Sequence, residues 1–232
     1  MKILVTGGAG YIGSHTCVEL INSGHEAVII DNFCNSCSES VKRIEEICGK
    51  KVYLYEGDVR DSALLDKIFT EHKIDSVIHF AGLKAVGESC EKPVEYYDNN
   101  LGGTLVLLQS MRKHGCKKIV FSSSATVYGT PEKLPLDELS KTGGTTNPYG
   151  TSKYFQEIML NDVYKSDGEW TVVLLRYFNP VGAHESGLIG EDPKGIPNNL
   201  TPYIAKVAIG ELKEVGVFGN DYDTHDGTGV RD

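Results

Sequence analysis

Short apolar runs, rich in β-branched residues, alternate along most of this chain with longer amphipathic stretches. The apolar runs predict six strands, at residues 3–6, 26–30, 52–56, 76–80, 118–122 and 171–176. The stretches between them predict helices at residues 12–23, 39–48, 62–72, 94–114 and 149–166. Runs such as Val28-Ile29-Ile30 are apolar at every position, as is typical of strands covered on both faces. This alternation predicts right-handed crossovers and a doubly wound parallel sheet, which is a Rossmann-type α/β fold.

The amino-acid composition of the sequence changes after residue 178. Residues 179–200 are rich in Gly, Pro and Asn, and a helix over 201–210 and a short strand over 215–218 are predicted beyond them. We therefore expect a cofactor-binding domain over 1–178 and the beginning of a smaller substrate-binding domain over 179–232. The sequence stops at Arg231-Asp232 without any sign of a natural ending, so we expect a truncated chain.

The net charge and the hydropathy of the chain limit the kinds of molecule that it is expected to bind. The formal net charge of −9 argues against nucleic acid, but a few N–H groups at a helix start suffice for a small phosphorylated ligand. No apolar run reaches the roughly 18 residues of a membrane span. Met1-Lys2 leads straight into the first strand, with no signal peptide. We therefore expect a cytoplasmic protein with no membrane partner.

The six cysteines show no secreted disulfide pattern. Cys34 and Cys37 form a CxxC, which fits a redox pair, half a zinc site, or two thiols in a loop beside a ligand. There is no second CxxC, and the seven histidines are scattered. We favour the two loop thiols and expect no metal site.

The turn after the first strand has the glycine spacing of a dinucleotide-binding site, with Gly7, Gly10 and Gly13. The first glycine makes the tight turn, the second lets the backbone approach a pyrophosphate, and the third lets the helix pack on the strand. The next strand leads to Asp31, where a carboxylate binds the adenosine ribose hydroxyls and repels a 2′-phosphate. This pattern predicts NAD rather than NADP. The alternative for Asp31 is that it only caps a loop.

Tyr149 and Lys153 lie four positions apart on a predicted helix and therefore share a face. A phenol has an ordinary pKa of about 10, and a neighbouring ammonium or nicotinamide charge lowers it towards neutrality. Ser122 ends the fifth predicted strand and Ser123 and Ser124 follow it, at the sheet edge where α/β ligand crevices form. The set predicts general base chemistry. The alternatives are an exposed helix-face pair and hydroxyls that only satisfy the backbone.

Four longer strings, at residues 79–89, 96–100, 176–184 and 195–200, are similar in the same order to the UDP-glucose (UDP-galactose) 4-epimerases. The chain resembles the N-terminal part of this family, which belongs to the extended short-chain dehydrogenase/reductase superfamily. The resemblance implies tightly held NAD and a UDP-hexose substrate. The sugar is oxidised at C4 and reduced again from its other face. The reaction interconverts UDP-galactose and UDP-glucose in galactose metabolism.

The resemblance also implies roles for individual residues. Ser124, Tyr149 and Lys153 are the catalytic residues, with Ser124 relaying the proton of the sugar hydroxyl to Tyr149. The cofactor residues are Gly7, Gly10, Tyr11, Ile12, Gly13, Asp31, Asn32, Asn35, Ser36, Asp58, Val59, Phe80, Ala81, Lys84, Asn99, Ser122, Tyr149, Lys153, Tyr177 and Phe178. The substrate residues are Lys84, Ser124, Tyr149, Asn179, Asn199, Leu200, Phe218 and Arg231. The alternative for Asp58, the adenine ligand in the superfamily, is that it caps the helix that starts near Asp61-Ser62.

Two other functions are weighed against this one. A nucleotide-sugar 4,6-dehydratase typically has an Asp-Glu pair just after the serine-rich strand end, where this chain has Ala125-Thr126. A catalytically silent NAD-binding module has no need of a base. The resemblance further implies a homodimer of the full-length enzyme, in which helices 94–114 and 149–166 pair between subunits. A truncated chain is expected to bind NAD weakly and to turn over poorly, and whether N-acetylated sugars are accepted stays open.

Overall fold

A computed structural model describes residues 1–195, 197 and 199–229. Its strands form one parallel sheet in the order β3-β2-β1-β4-β5-β6. The strands are β1 (Lys2–Thr6), β2 (Glu26–Asp31), β3 (Tyr53–Glu56), β4 (Ser76–His79), β5 (Lys118–Ser124) and β6 (Thr171–Tyr177). The order reverses between β1 and β4, which creates the switch point where folds of this kind bind ligands. The predicted Rossmann-type fold is confirmed.

Helices cover both faces of the sheet. They are α1 (Tyr11–Asn22), α2 (Glu39–Cys48), α3 (Ser62–His72), α4 (Val86–Glu91), α5 (Pro93–Tyr97), α6 (Gly103–Lys113), α7 (Pro148–Ser166) and α8 (Leu200–Ala208). A π-helical turn (Asp98–Gly102) joins α5 to α6, and a 3₁₀ turn (Ala125–Tyr128) follows β5. In the described part of the chain, no helix is long and apolar enough to span a membrane.

Successive residues of β1 point into two different hydrophobic cores. Leu4 packs in the core that α3, α6 and α7 complete, together with Leu65, Met111 and Leu160. Ile3 and Val5 pack on the opposite face, in a core that includes α1 and α2. This alternation explains why the strand is apolar at every position.

The segment after β6 returns to the first part of the sheet. The Tyr11 hydroxyl donates to the Gly182 carbonyl over 2.7 Å, and Arg43 Nη1 donates to the Leu188 carbonyl over 2.8 Å. Ile189 is buried in the same core as Ile3. The domain boundary at residue 178 stays a prediction.

The helix predicted over 94–114 is present, helical without a break from Pro93 to Lys113, but it contains a π-helical turn that was not predicted. The helical chain contains α5, the π-helical turn and α6, and α4, which was not predicted, precedes them. The turn ends at Gly102, and the Gly102-Gly103 pair weakens the helix there. At Gly103 an added Cβ would come 2.7 Å from Val59 Cγ1, so this glycine allows the close approach of the loop after β3.

The prediction of a strand over 215–218 is wrong. This stretch has no regular structure, and none of the described strands pairs with it. Val217 and Phe218 are 75% and 95% exposed. A strand requires a hydrogen-bonded neighbour, and apolar residues alone do not supply one.

Candidate active site

The glycine turn combines two tightly packed glycines with one open glycine. Gly7 has φ +68°, and an added Cβ would lie 2.8 Å from the Ala81 amide nitrogen at the end of β4. At Gly13 a Cβ would lie 2.3 Å from the Gly7 carbonyl oxygen. At Gly10, which precedes α1, the nearest atom would be the same oxygen at 3.3 Å. The turn therefore packs tightly on one side and leaves the N-terminal N–H groups of α1 accessible, which suits a pyrophosphate.

Asp31 lies at the carboxyl end of β2 and faces this turn. Its carboxylate accepts hydrogen bonds from the Ala9 and Phe33 amides, over 3.0 and 2.9 Å, and from the Ser36 hydroxyl over 2.7 Å. A carboxylate has about four acceptor positions, so capacity remains for a ribose hydroxyl. Asp31 thus caps the loop, and this does not prevent it from binding a ligand.

Asp58 does not cap the following helix. Asp61 does so, because its carboxylate accepts from the Ala63 and Leu64 amides over 3.0 Å. The Arg60 guanidinium, together with the Arg60 amide and Asn32, holds the pKa of Asp58 down at about 2. The predicted cofactor residues Asn32 and Asp58 are directly joined by a hydrogen bond of 3.1 Å.

Lys153 is buried beneath the end of β5. Its Nζ donates to the Ser122 carbonyl over 2.8 Å and lies 4.8 Å from the centre of the Phe121 ring. Burial lowers the pKa of this ammonium to about 8. Lys153 thus lies between strand β5 and the face of α7 that carries Tyr149.

Ser124 and Tyr149 are brought together. Burial raises the pKa of Tyr149, and the neighbouring Ser124 side chain acts in the opposite direction. Ser124 Oγ accepts from the Thr126 amide and hydroxyl over 3.2 and 3.0 Å, which leaves its own proton for Tyr149. Asn147 caps α7 by accepting from the Gly150 amide over 2.8 Å, and this fixes the helix start beside Tyr149.

Asn100, the neighbour of the predicted cofactor residue Asn99, forms a buried link at the π-helical turn. Its side chain accepts from the Leu83 amide over 2.8 Å and donates to the Leu83 carbonyl and the Ser152 hydroxyl. The Ser152 hydroxyl in turn donates to the Tyr149 carbonyl over 2.7 Å. Asn99 is only half-buried. Sequence reasoning missed Asn100, and the adjacent asparagine pair was the available signal.

Lys84 and Asn199, both predicted substrate residues, meet at a residue that was not predicted. Glu191 Oε1 lies 3.6 Å from Lys84 Nζ and accepts from Asn199 Nδ2 over 2.5 Å. Burial, and next the Glu191 charge, raise the pKa of Tyr11. No local motif marks Glu191, which lies in the Gly- and Pro-rich segment.

The remaining predicted residues are distributed as follows. Tyr177 pairs with Ser124 in the sheet register, and its ring centre lies 6.5 Å from that of Phe80. Val59 is buried, Ile12 lies in the first turn of α1, and Asn35 lies in an exposed loop. Phe178, Leu200 and Phe218 are exposed, and Asn179 follows β6. Arg231 lies outside the described residues.

Comparison with known proteins gives two family names. Residues 4–232 match the model of a family described as GDP-mannose 4,6 dehydratase. The UDP-glucose 4-epimerase of Haemophilus influenzae is 66% identical over 232 residues, which are 100% of this chain and 69% of that protein. The chain belongs to the UDP-glucose 4-epimerase family.

Solved structures of UDP-glucose 4-epimerases agree with this assignment. One from Bifidobacterium longum, in complex with NAD+ and UDP, is 67% identical with a TM-score of 0.97 and covers 100% of this chain and 69% of its own. One from Stenotrophomonas maltophila, with NAD and formylated UDP-arabinopyranose, is 52% identical with a TM-score of 0.96 at the same coverage.

The residues after β5 differ from those expected of a 4,6-dehydratase, although the matching family model carries that description. The 3₁₀ turn after β5 begins with Ala125-Thr126, and Thr126 bonds Ser124. The Asp-Glu pair expected for a dehydratase does not occur at these two positions of the sequence. Cys34 and Cys37 are free and exposed, and the part of the chain that the structure describes has no cluster of three metal-binding side chains.

Proposed function

We propose that this chain interconverts UDP-galactose and UDP-glucose by oxidation and reduction at C4 of the hexose, with NAD as its cofactor. The observation that carries the proposal is the placement of Ser124, at the end of β5, beside Tyr149 on the α7 face that also buries Lys153. This face meets the sheet at its carboxyl edge, where α/β ligand crevices form. The UDP and NAD bound to the related structures support the same assignment.

The residues of the glycine turn fit the cofactor. The open Gly10 position and the first turn of α1 would hold the pyrophosphate, and Asp31 would bind the adenosine ribose. Asp58 would bind the adenine, and Lys153 the nicotinamide ribose. NAD, when bound, supplies the hydride acceptor and donor that a redox-neutral epimerisation requires.

The protein's own residues move the proton. Burial keeps the Tyr149 phenol protonated at neutral pH, and positive charge placed near it favours the phenolate. Ser124 passes the proton of the sugar 4-hydroxyl to that phenolate and returns it when C4 is reduced. The diphosphate of the UDP-hexose would contact Lys84 and Asn199. Binding of the substrate by Arg231 stays a prediction.

The test is conversion of UDP-galactose by the chain with NAD⁺, followed by proton NMR. We expect UDP-glucose to form, and Tyr149→Phe to abolish its formation, because phenylalanine has no base. Tyr154→Phe is the matched control: Tyr154 lies on the same helix, with its ring near Gly143, and its loss should leave the rate unchanged.

Three outcomes would contradict the proposal. A 4-keto-6-deoxy product in the spectrum would indicate a dehydratase. Bound NAD without any conversion would indicate a silent cofactor-binding module. Full activity of Tyr149→Phe would remove Tyr149 from the chemistry.

We further infer a homodimer that buries an apolar helical surface. Large apolar side chains are exposed on α5, α6 and α7: Val94 is 74% exposed, Leu105 49% and Phe155 43%. A second copy of the chain would cover these side chains, since soluble monomers rarely leave such surface open. The cytoplasmic location and the lack of nucleic-acid binding stay predictions.

A further inference from the structure

We propose that Glu157, with Ser123 and Arg176, positions Ser124 against Tyr149. These residues fix the position of the Ser124 hydroxyl relative to the Tyr149 phenol. That this placement matters for catalysis rests on the proposed function. None of these three residues belongs to the predicted cofactor or substrate set.

Glu157 extends the catalytic face of α7. It follows Lys153 by one helical turn and Tyr149 by two, so all three side chains point towards the sheet. Glu157 is 3% exposed. Its Oε1 accepts from the Ser123 hydroxyl over 2.5 Å and from Arg176 Nε over 3.0 Å, and its Oε2 accepts from Arg176 Nη2 over 2.9 Å.

Arg176 connects Glu157 to Tyr128, which follows Ser124 in the chain. It pairs with Ser123 in the sheet register, and its Nη1 donates to the Tyr128 hydroxyl over 3.1 Å. The guanidinium carbon lies 4.9 Å from the centre of the Tyr128 ring. Tyr128 ends the 3₁₀ turn that begins directly after Ser124.

The chain on both sides of Ser124 is therefore tied to one ion pair, in which Glu157 is buried and Arg176 is half-buried. Ser123 is bonded to Glu157 on α7, and Tyr128 is bonded to Arg176 on β6. Because α7 also carries Tyr149, the pair sets the distance between the two partners of the relay. An ion pair taken out of water often adds little net stability, because desolvation offsets the attraction. We therefore assign this pair the role of holding Ser124 in one position rather than that of stabilising the fold.

Glu157→Gln tests the proposal in the full chain, because it keeps the size of the side chain and removes its charge. We expect kcat to fall on the order of 10- to 100-fold with KM unchanged, since small displacements of reacting groups cost rates of this size. In the Ser124→Ala background, the same change should add less than about twofold, because Ser124 is then no longer there to be displaced.

A second readout does not require turnover. The pKa of Tyr149 is followed by NMR of chain carrying ¹³C-labelled tyrosine, with Tyr149→Phe to assign the resonance. We expect Glu157→Gln to raise this pKa to the value of Ser124→Ala, because both changes take the Ser124 hydroxyl, which lowers the pKa, away from Tyr149. If Glu157→Gln does not fold, Ser123→Ala keeps the ion pair and removes one of its contacts.

Leu160→Ala is the control for a general loss of stability. Leu160 lies three residues after Glu157 on α7, and its apolar side chain is buried in the core. The change should lower the melting temperature and leave the Tyr149 pKa and the kcat of folded protein unchanged. An unchanged Tyr149 pKa in Glu157→Gln, or rate losses that multiply with Ser124→Ala, would overturn the proposal. An inactive parent chain would instead overturn the proposed function, and the titration would still decide the positioning role.

Discussion

At Gly13 one methyl group decides whether the cofactor turn can form. A Cβ there would lie 2.3 Å from the Gly7 carbonyl oxygen and 2.8 Å from Gly8 Cα, and backbone atoms cannot swing away as a side chain would. We expect Gly13→Ala to lower the free energy of unfolding by about 3 kcal/mol and to abolish NAD binding. Urea denaturation and calorimetric titration with NAD⁺ measure the two effects.

Gly10→Ala is the matched control, because its Cβ meets only the Gly7 oxygen, at 3.3 Å. We expect it to change the free energy of unfolding by about 1 kcal/mol at most and still to weaken NAD binding, since the methyl group occupies the approach of the pyrophosphate. A Gly13→Ala chain as stable as the parent would contradict the prediction.

How far a site residue can be predicted depends on where its partners lie. Tyr149 and Lys153 are one helical turn apart, so their spacing alone indicates a shared face. Glu191 and Asn100 acquire their roles from residues on other elements, such as Lys84 and Leu83. No pattern in one stretch of sequence reports contacts of that kind, and both residues were missed.

At the scale of elements, His79 joins β1, β4 and α6 through hydrogen bonds. Its ring nitrogens lie 2.6 Å from the Thr6 hydroxyl and 3.0 Å from the Thr104 hydroxyl. Burial, and next the charge of Lys153, lower the pKa of His79 to about 3. The unfolded chain, in which the pKa of histidine is about 6.5, therefore binds a proton that the folded chain does not bind between these two pH values.

The free energy of unfolding should therefore fall as the pH drops below about 6.5, by up to about 1.4 kcal/mol per pH unit from this group. Above that pH the contribution is constant. His79→Gln removes the titrating group, and urea denaturation at pH 7, 6 and 5 should show a shallower decline than in the parent. The exposed His225→Gln is the control and should keep the parent slope; identical slopes for all three chains would contradict the prediction.

Strands and helices with strong periodicity were predicted closely, and α2 and α3 have the predicted bounds. The π-helical turn Asp98–Gly102 was not predicted, because one additional residue in a turn hardly changes the apolar pattern of its surroundings. The stretch 215–218 has the composition of a strand and no partner to pair with. Local pattern thus predicts the type of an element better than its internal hydrogen-bond register or its neighbours.

At the scale of the whole molecule, the exposed apolar helical surface predicts the state of association. The double change Leu105→Glu with Phe155→Glu should convert a dimer to a monomer, because charge cannot be buried at the contact without a partner. Sedimentation velocity measures the change. Leu139→Glu, at a loop position that is 94% exposed, is the control and should stay dimeric. A parent chain that sediments as a monomer at every concentration would contradict the dimer.

The return of the segment around Ile189 to the first strands has a consequence for the order in which the protein is made. Ile189 packs in one core with Ile3 and Val5, and Arg43 is bonded to the Leu188 carbonyl. A ribosome adds about 5–20 residues per second, so the part of this core that Ile189 covers stays open for on the order of ten seconds after α2 has been synthesised. During that interval this surface of the nascent chain is accessible to chaperones, and the core that contains Ile3 and Val5 is complete only after residue 189 of the 232 has been synthesised.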